Sequence, residues 1–432
     1  MQLDDTTLSD LEVLTSSDGS PGVLAMLDRT ATARGRAALR RRVTRPPSDL
    51  ASIVATQVAV RFFADHPGLL SLQDAELVAV EQYIGSNLEV GAPARRWRDE
   101  IETAWLALRY RDVLRELRTG VRHTRAFFSR LQVSFEALRR RRPPPMISDL
   151  LEHVLEAAER VLRHDLSRGS VVGVDRHYRA EIGEQIRRAL EALGELDALA
   201  AMGAFARTVP WVFPEWTESD TFELEAEGAF HPFLESGVQN PIRLSGGEPT
   251  VFLTGPNMAG KTTYLRTVGI IVLLAHAGFP VPAAAARLTT VDALFTSLNP
   301  TDNLRAGVSY FLAEIQRVRA AAELLVTGKR TLVLFDEVFK GTNVKDALEA
   351  SAQVILGFAR SRRSGFIFSS HLSELADVLR RDPSIRFQHF DGSIDGGAPK
   401  YSYRLQEGVS DKRFGMLLLR HAKIPELIEQ LG

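Results

Sequence analysis

Apolar residues recur every three or four positions from residue 10 to about residue 215, the spacing of helices that each bury one face. In GVLAMLDRTATARGRAALRRRV, Leu24, Leu27, Ala31 and Leu39 keep that rhythm among arginines. Pro46 and Pro47 interrupt it, and Ser48 and Asp49 can cap a next helix over 53–63. Residues 97–117 and 127–138 continue the pattern. The run RRRRPPP, Arg139 to Pro145, predicts a stop and a turn, because proline cannot continue a helix. Helices over 148–166 and 178–205 follow, and TVPWVFPEW (208–216) reads as a proline-broken connector. A boundary is expected near residue 216, separating an all-α domain (1–216) from a second domain (217–432).

Beyond that point the period changes. TVFL (250–253), TLVLF (331–335) and FIFS (366–369) are short apolar runs separated by helical stretches. Strands alternating with helices predict an α/β domain, a mainly parallel sheet with helices on both faces. RFQHFD and KYSYRL alternate polar and apolar positions around the turn-rich GSIDGGAP, which predicts a hairpin over 386–405. Two short helices, 411–421 and 425–431, are expected to close the chain. No internal repeat is visible.

Composition narrows the classes. The 432 residues are enough for two or three domains, with 45% hydrophobic and 25% charged residues, as in ordinary globular proteins. A formal net charge of -1 gives no overall basic signature, so any nucleic-acid surface must be a local patch. With no cysteine there are no disulfides, thiolate metal sites or Cys nucleophiles. MQLDDTTLSD is acidic and polar, unlike a secretory signal. The longest apolar run, Ile270 to Ala275, is far too short to span a bilayer. The expectation is a cytoplasmic protein with no membrane partner.

The chemistry concentrates in TGPNMAGKTTYLR, residues 254–266. It reads G-x-x-x-x-G-K-T between a strand and a helix, the setting of a phosphate-binding loop. Gly255 and Gly260 let the backbone close with its amides inward, Lys261 brings charge to the β- and γ-phosphates, and Thr262 offers a hydroxyl to Mg²⁺. The helix N-terminus adds its partial positive charge. The full set expected at the nucleotide is Gly255, Pro256, Asn257, Met258, Ala259, Gly260, Lys261, Thr262 and Thr263. Lys261 is also the first lysine of the chain. TLVLFDE supplies two acids: Asp336 for the Mg²⁺ shell and Glu337 to orient or deprotonate an attacking water. His371 follows the strand FIFSS and can sense the γ-phosphate; its alternative is a surface residue opening a helix. Ser309 stands at the start of a helix reaching about Leu325. It is either a cap or, facing a second subunit's ATP, a donor that completes that site.

Together these stretches resemble the MutS family of DNA mismatch-repair ATPases. The phosphate loop, with Asn257-Met258 inside it, matches that family's almost letter for letter. DEVFKGT, FSSHLSEL, HPFLESGVQNPIRL, VPAAAARLTTVDALFTSLNPTDNLRAGVSYF and QEGVSDKRFGMLLLRHAKIPELI resemble its other segments in order. SDLEVLTSSDGSPGVLAMLDRTATARGRAALRRRVTRPPSDLASIVATQVAV and ALGELDALAAMGAFA are similar to its core and lever domain. The resemblance implies an ABC-type ATPase that pairs with a second copy, using ATP and Mg²⁺. Each ATP then lies between the loop of one subunit and Ser309 of the other. It makes Glu337 hydrolytic, puts Asp336 and Thr262 at Mg²⁺, and places Val238, Asn240 and Tyr403 near the base.

The departures shape the functional expectation. The mismatch-reading and connector domains have no counterpart, and Phe233-Leu234-Glu235 has the letters of the reading wedge only by coincidence. Residues 165–177 are too few for a DNA-gripping clamp, and no nuclease domain is expected. Asn343, Val344 and Lys345 replace Ser-Thr-x, Tyr310 replaces Thr, Lys340 replaces Arg, and Gly237 stands where a base-stacking ring is common. The arginine clusters at 36–45, 95–98 and 139–142 are either DNA contacts or a solvated face. The expected function is thus a shortened ATPase whose helical lever follows nucleotide state, acting on DNA in repair or recombination. The alternative is an ATP-gated dimeric module acting on a protein. A small-molecule kinase sharing only the loop would need neither Ser309 nor His371.

Overall fold

The computed structural model describes residues 1–16, 18–86, 96–163, 170–245, 247–298, 310–395, 398–410 and 424–429. The chain is mixed α/β, with a helical N-terminal region. Ten helices come first: α1 (Asp5–Asp10), α2 (Val23–Leu27), α3 (Ala33–Thr44), α4 (Leu50–Asp65), α5 (Asp74–Gly85), α6 (Arg96–Arg109), α7 (Arg111–Arg139), α8 (Pro145–Arg163), α9 (Val171–Arg176) and α10 (Gly183–Ala206). Strands β1 (Glu215–Trp216), β2 (Leu224–Ala229), β3 (Asn240–Leu244) and β4 (Thr250–Thr254) lead to α11 (Lys261–Ala277). Then come β5 (Ala285–Leu288), β6 (Ala293–Ser297), α12 (Tyr310–Val326), β7 (Thr331–Asp336), α13 (Val344–Phe358), β8 (Gly365–Ser369) and α14 (Leu375–Leu379). β9 (Ile385–Asp395), β10 (Ala398–Glu407) and a helix Ile424–Glu429 end the described chain. Among the described residues, no helix is long and apolar enough to cross a membrane.

The contacts gather these elements into two compact units. One comprises Met1–Met26, Val43–Ile53 and Pro210–Gly432; the other Leu27–Arg42 and Val54–Val209. A single cut near residue 216 therefore leaves out two N-terminal pieces that pack with the strands. Gln2 makes a parallel bridge to Ala293, and Asp10 accepts from the Thr296 hydroxyl (2.7 Å) and the Leu298 N–H (2.9 Å). Leu11 fills the space beside Gly269, where a Cβ would stand 2.5 Å from its side chain. So short a segment has no period to reveal what it packs against.

In the strand-bearing unit a six-stranded sheet runs β10-β9-β4-β8-β7-β6, parallel except for the β9–β10 hairpin. Every residue of β4, β6, β7 and β8 is buried, as in a sheet covered on both faces. Alternation decides which side chain goes where. Phe252, Phe295, Val333, Phe335, Phe366 and Phe368 join one cluster with Ile355 of α13 and Leu379 of α14. Leu334 points the other way, to Gly269 of α11. The three short apolar runs are β4, β7 and β8, and the expected hairpin is β9–β10. A second sheet, β1-β5-β2-β3, has no counterpart in the expectation, because its strands are half exposed and interrupted by charge.

The helical unit departs from expectation most plainly before the proline run. The stretch 97–117 is not one helix: it breaks at Tyr110 (φ -136°, ψ 59°), and a 29-residue α7 runs from Arg111 through the expected 127–138 segment. The prolines after Arg142 end it, and Pro145 opens α8, where a missing N–H costs nothing. A π-helical turn, His177–Glu181, precedes α10. Buried Asp197 of α10 accepts from the N–H groups of Ala31 (3.1 Å) and Thr32 (2.8 Å) and from the Thr32 hydroxyl (2.6 Å). Asp197→Ala would strand these donors and is expected to cost this unit about 2–4 kcal/mol, read as a lower denaturant midpoint. An unchanged midpoint would refute this.

Candidate functional site

The loop between β4 and α11 is built by backbone geometry. Gly255 (φ 140°) has no room for a Cβ, which would lie 2.6 Å from the Phe390 carbonyl oxygen. Gly260 (φ 105°) caps α11 in the left-handed region, which L residues enter at a cost. Between them Met258 (φ 68°) is left-handed without being glycine. Glu337 (57°), Phe339 (62°) and Tyr403 (54°) share that conformation nearby. Such clustering of unfavourable backbone is characteristic of functional sites.

Lys261 begins α11, and its Nζ turns back to donate to the carbonyls of Gly255 (2.8 Å) and Pro256 (3.2 Å). Only 5% of the residue is exposed. Burial pulls its ammonium below the usual lysine range, against the charges of Glu337 and Asp336. Thr262 donates its hydroxyl to Asp336 at the end of β7. Ser369, in register with Asp336 on the neighbouring β8, donates to the carboxylate's other oxygen. Parallel strands thus bring the loop's threonine and the acid together 74 residues apart, at the strand ends where such sheets bind ligands.

Glu337 follows, held by Lys340 Nζ (2.8 Å) and facing His371 Nδ1 (3.4 Å). Burial pushes its carboxyl up, but the His371 and Lys340 contacts outweigh that and hold it at about 2. His371 itself is half exposed. Lys340 is positioned in turn by Glu314 of α12, whose carboxylate accepts from the N–H groups of Lys340 (3.0 Å) and Gly341 (3.2 Å).

A cleft of about 890 Å³ joins these groups, large enough for a nucleotide-sized ligand. Asn257, Met258, Gly260, Lys261, Thr262 and Thr263 line one part, and Asp336, Glu337 and Lys340 another. His231, Phe233, Leu234, Val238, Asn240 and Tyr403 line the rest. Gly255, Pro256 and Ala259 sit behind, the last fully buried. Exposed Met258 (80%) and Tyr403 (46%) offer apolar surface. Asn240 is committed to the backbone: its Nδ2 donates to the Tyr403 carbonyl (2.9 Å), and its Oδ1 accepts from the Leu405 N–H (2.8 Å). These bonds hold the register shift of β10 between Tyr401 and Leu405. Ser309 lies outside the described residues, as do the expected helix 411–421, the ends of the expected helices 148–166 and 425–431, and Arg95 of one arginine cluster.

Ser369, Lys340 and Glu314 carry no expected role, yet they orient Asp336 and Glu337. A hydroxyl at the end of the strand beside the acid-bearing strand was a signal for the first. The other two depend on a contact between loop and helix that spacing does not encode. Phe233 and Leu234, set aside as chance letters, line the cleft.

Comparison with known proteins gives two family models. The one described as MutS domain V matches residues 251–431, and the one described as MutS domain III matches residues 6–203. A curated relative, the DNA mismatch repair protein MutS of Granulibacter bethesdensis, is 33% identical over 290 residues. That alignment covers 65% of this chain and 30% of the relative, so the match spans under a third of the relative's length.

Proposed function

The chain belongs to the MutS family, and on that premise we propose that it is an ATPase of the ABC type whose nucleotide cycle moves a helical lever. One observation carries the reading. The loop lysine is buried among the carbonyls of its own loop, while Thr262 and Asp336 are joined directly and Glu337 stands beside them. A hard divalent cation takes oxygen ligands such as this hydroxyl and carboxylate, so the pair fits Mg²⁺. When bound, Mg²⁺ would offset the charge of the phosphates. Ser369 keeps the Asp336 carboxylate oriented, and the loop amides and Lys261 supply fixed positive charge. Glu337 positions water: a carboxyl held at about 2 stays ionised at neutral pH and is a weak proton acceptor. His371, on the same carboxylate, links that residue to the end of β8.

The resemblance to the family supports the finer parts of the reading. ATP is shared with a second copy whose Ser309 completes the site in trans. The domains are a helical core and lever (1–216) and the ATPase (217–432), except that the pieces 1–26 and 43–53 pack with the strand-bearing unit. DNA is the partner, in repair or recombination within the cytoplasm. The rival, an ATP-gated module acting on protein, differs by making no salt-sensitive contact with DNA. Mg²⁺-dependent phosphate release by the purified chain tests the ATPase reading; release no faster than from a Lys261→Ala control would overturn it.

Asn240 has a positioning role here. Without its amide, the left-handed Tyr403 and the register shift lose two hydrogen bonds, each worth about 1 kcal/mol. Asn240→Ala is expected to raise the KM for ATP by roughly 5–30-fold with little change in kcat. An unchanged KM would remove Tyr403 from the base-binding wall.

A further inference from the structure

One solvent face of α7 carries Arg111, Arg115, Arg118 and Arg122, all exposed. Their spacing of four, three and four residues stacks them along one line of about 16 Å. The face across from the line is core, with Thr124, Phe127 and Leu131 buried, and buried Leu114 and Val121 flank the line. Arg125 continues the line but turns its Nη1 toward the Val161 carbonyl (3.4 Å).

A plain solvated face places acids three or four residues from bases. The same unit does so elsewhere: Arg160 with Glu156, Arg163 with Glu159 and Arg188 with Glu184. Along this line each of the four arginines instead has another arginine at that spacing, which disfavours the helix. Arg115 has the one acid, Asp112, at 3.4 Å with both side chains at least 80% exposed, a weak and screened contact. Arg111 Nε reaches a carbonyl, Ala107 O, at 3.3 Å. Among the described residues, no acid pairs with Arg118 or Arg122.

We propose that this arginine line on α7 is a sequence-independent contact for the phosphate backbone of duplex DNA. Guanidinium groups pair with phosphates in a two-pronged geometry, and a straight row suits a rod with regularly spaced charge. The proposed contact is with the phosphates alone, which position a protein on the duplex without reading its sequence. A lipid surface does not fit, because the apolar face that would enter it is packed in the bundle. The proposal rests on the DNA-binding reading above and gives it a location away from the expected clusters at 36–45, 95–98 and 139–142.

The test is the full chain carrying Arg115→Gln, Arg118→Gln and Arg122→Gln, titrated with a fluorescent mixed-sequence duplex at several salt concentrations. A control chain carries Arg160→Gln, Arg163→Gln and Arg188→Gln, the same charge loss from paired arginines. The line variant is expected to bind at least about tenfold more weakly, with a log K against log salt slope shallower by about 2–3. The control should stay near wild type, and two unrelated duplexes should bind alike. Equal losses in both variants, unchanged binding in the line variant, or no salt-sensitive binding by wild type would overturn the proposal. Nucleotide binding, measured on the same samples, reports separately on the ATPase reading and on folding.

Discussion

Lys261→Ala is expected to abolish ATP binding, by a thousandfold or more in Kd. Lys261 is 5% exposed and its ammonium is held by two loop carbonyls, so its charge acts where water screens little. At about 4 Å and an effective dielectric near 20, one charge pair contributes about 4 kcal/mol, which is roughly a thousandfold in affinity. Alanine leaves the loop's own geometry in place, because Gly255 and Gly260 set it through backbone torsions. It also leaves the carbonyls of Gly255 and Pro256 without their donor, so thermal stability should fall only modestly. Titration with a fluorescent ATP analogue, beside a melting curve, checks both statements. A folded variant that binds within threefold of wild type would mean that the loop does not hold phosphate.

That expectation comes from a short stretch, and the reason it was legible is local. Thirteen residues encode a strand end, two glycine torsions, a cation and a helix start, all within one turn of chain. β4, β7 and β8 were equally plain, since strands buried on both faces read as unbroken apolar runs. Long-range pairings were not. Ser369 meets Asp336 because β7 and β8 pair in register, and Asn240 meets Tyr403 across 163 residues. The N-terminal segment joins the strand-bearing unit through Asp10 and Gln2, polar residues that look solvated in sequence. On α7 the periodicity was visible, but Tyr110 hid the true start of the helix, and with it the arginine line.

Glu337→Gln is expected to leave ATP binding within about threefold of wild type and to reduce turnover at least a hundredfold. Glutamine keeps the side chain's length and an acceptor oxygen but not its charge. Lys340 Nζ at 2.8 Å and His371 at 3.4 Å now share one carboxylate; beside an amide, two donors face a neutral group. The orientation of that acceptor, and of the water it would hold, is therefore lost. A single positioned acceptor or base is commonly worth 10²–10⁴ in rate. The pH profile separates the two ways Glu337 could act. Its carboxyl titrates at about 2 and is fully ionised well above that, so wild-type turnover should show no acid limb from this residue between pH 5 and pH 8. By the same sign, any stability its ion pairs add is complete above the ordinary glutamate range and disappears only as pH falls toward 2. An acid limb near pH 6 that vanishes in Glu337→Gln would instead make Glu337 a proton acceptor whose pKa rises in the complex. Turnover by Glu337→Gln at the wild-type rate would remove the residue from the mechanism altogether.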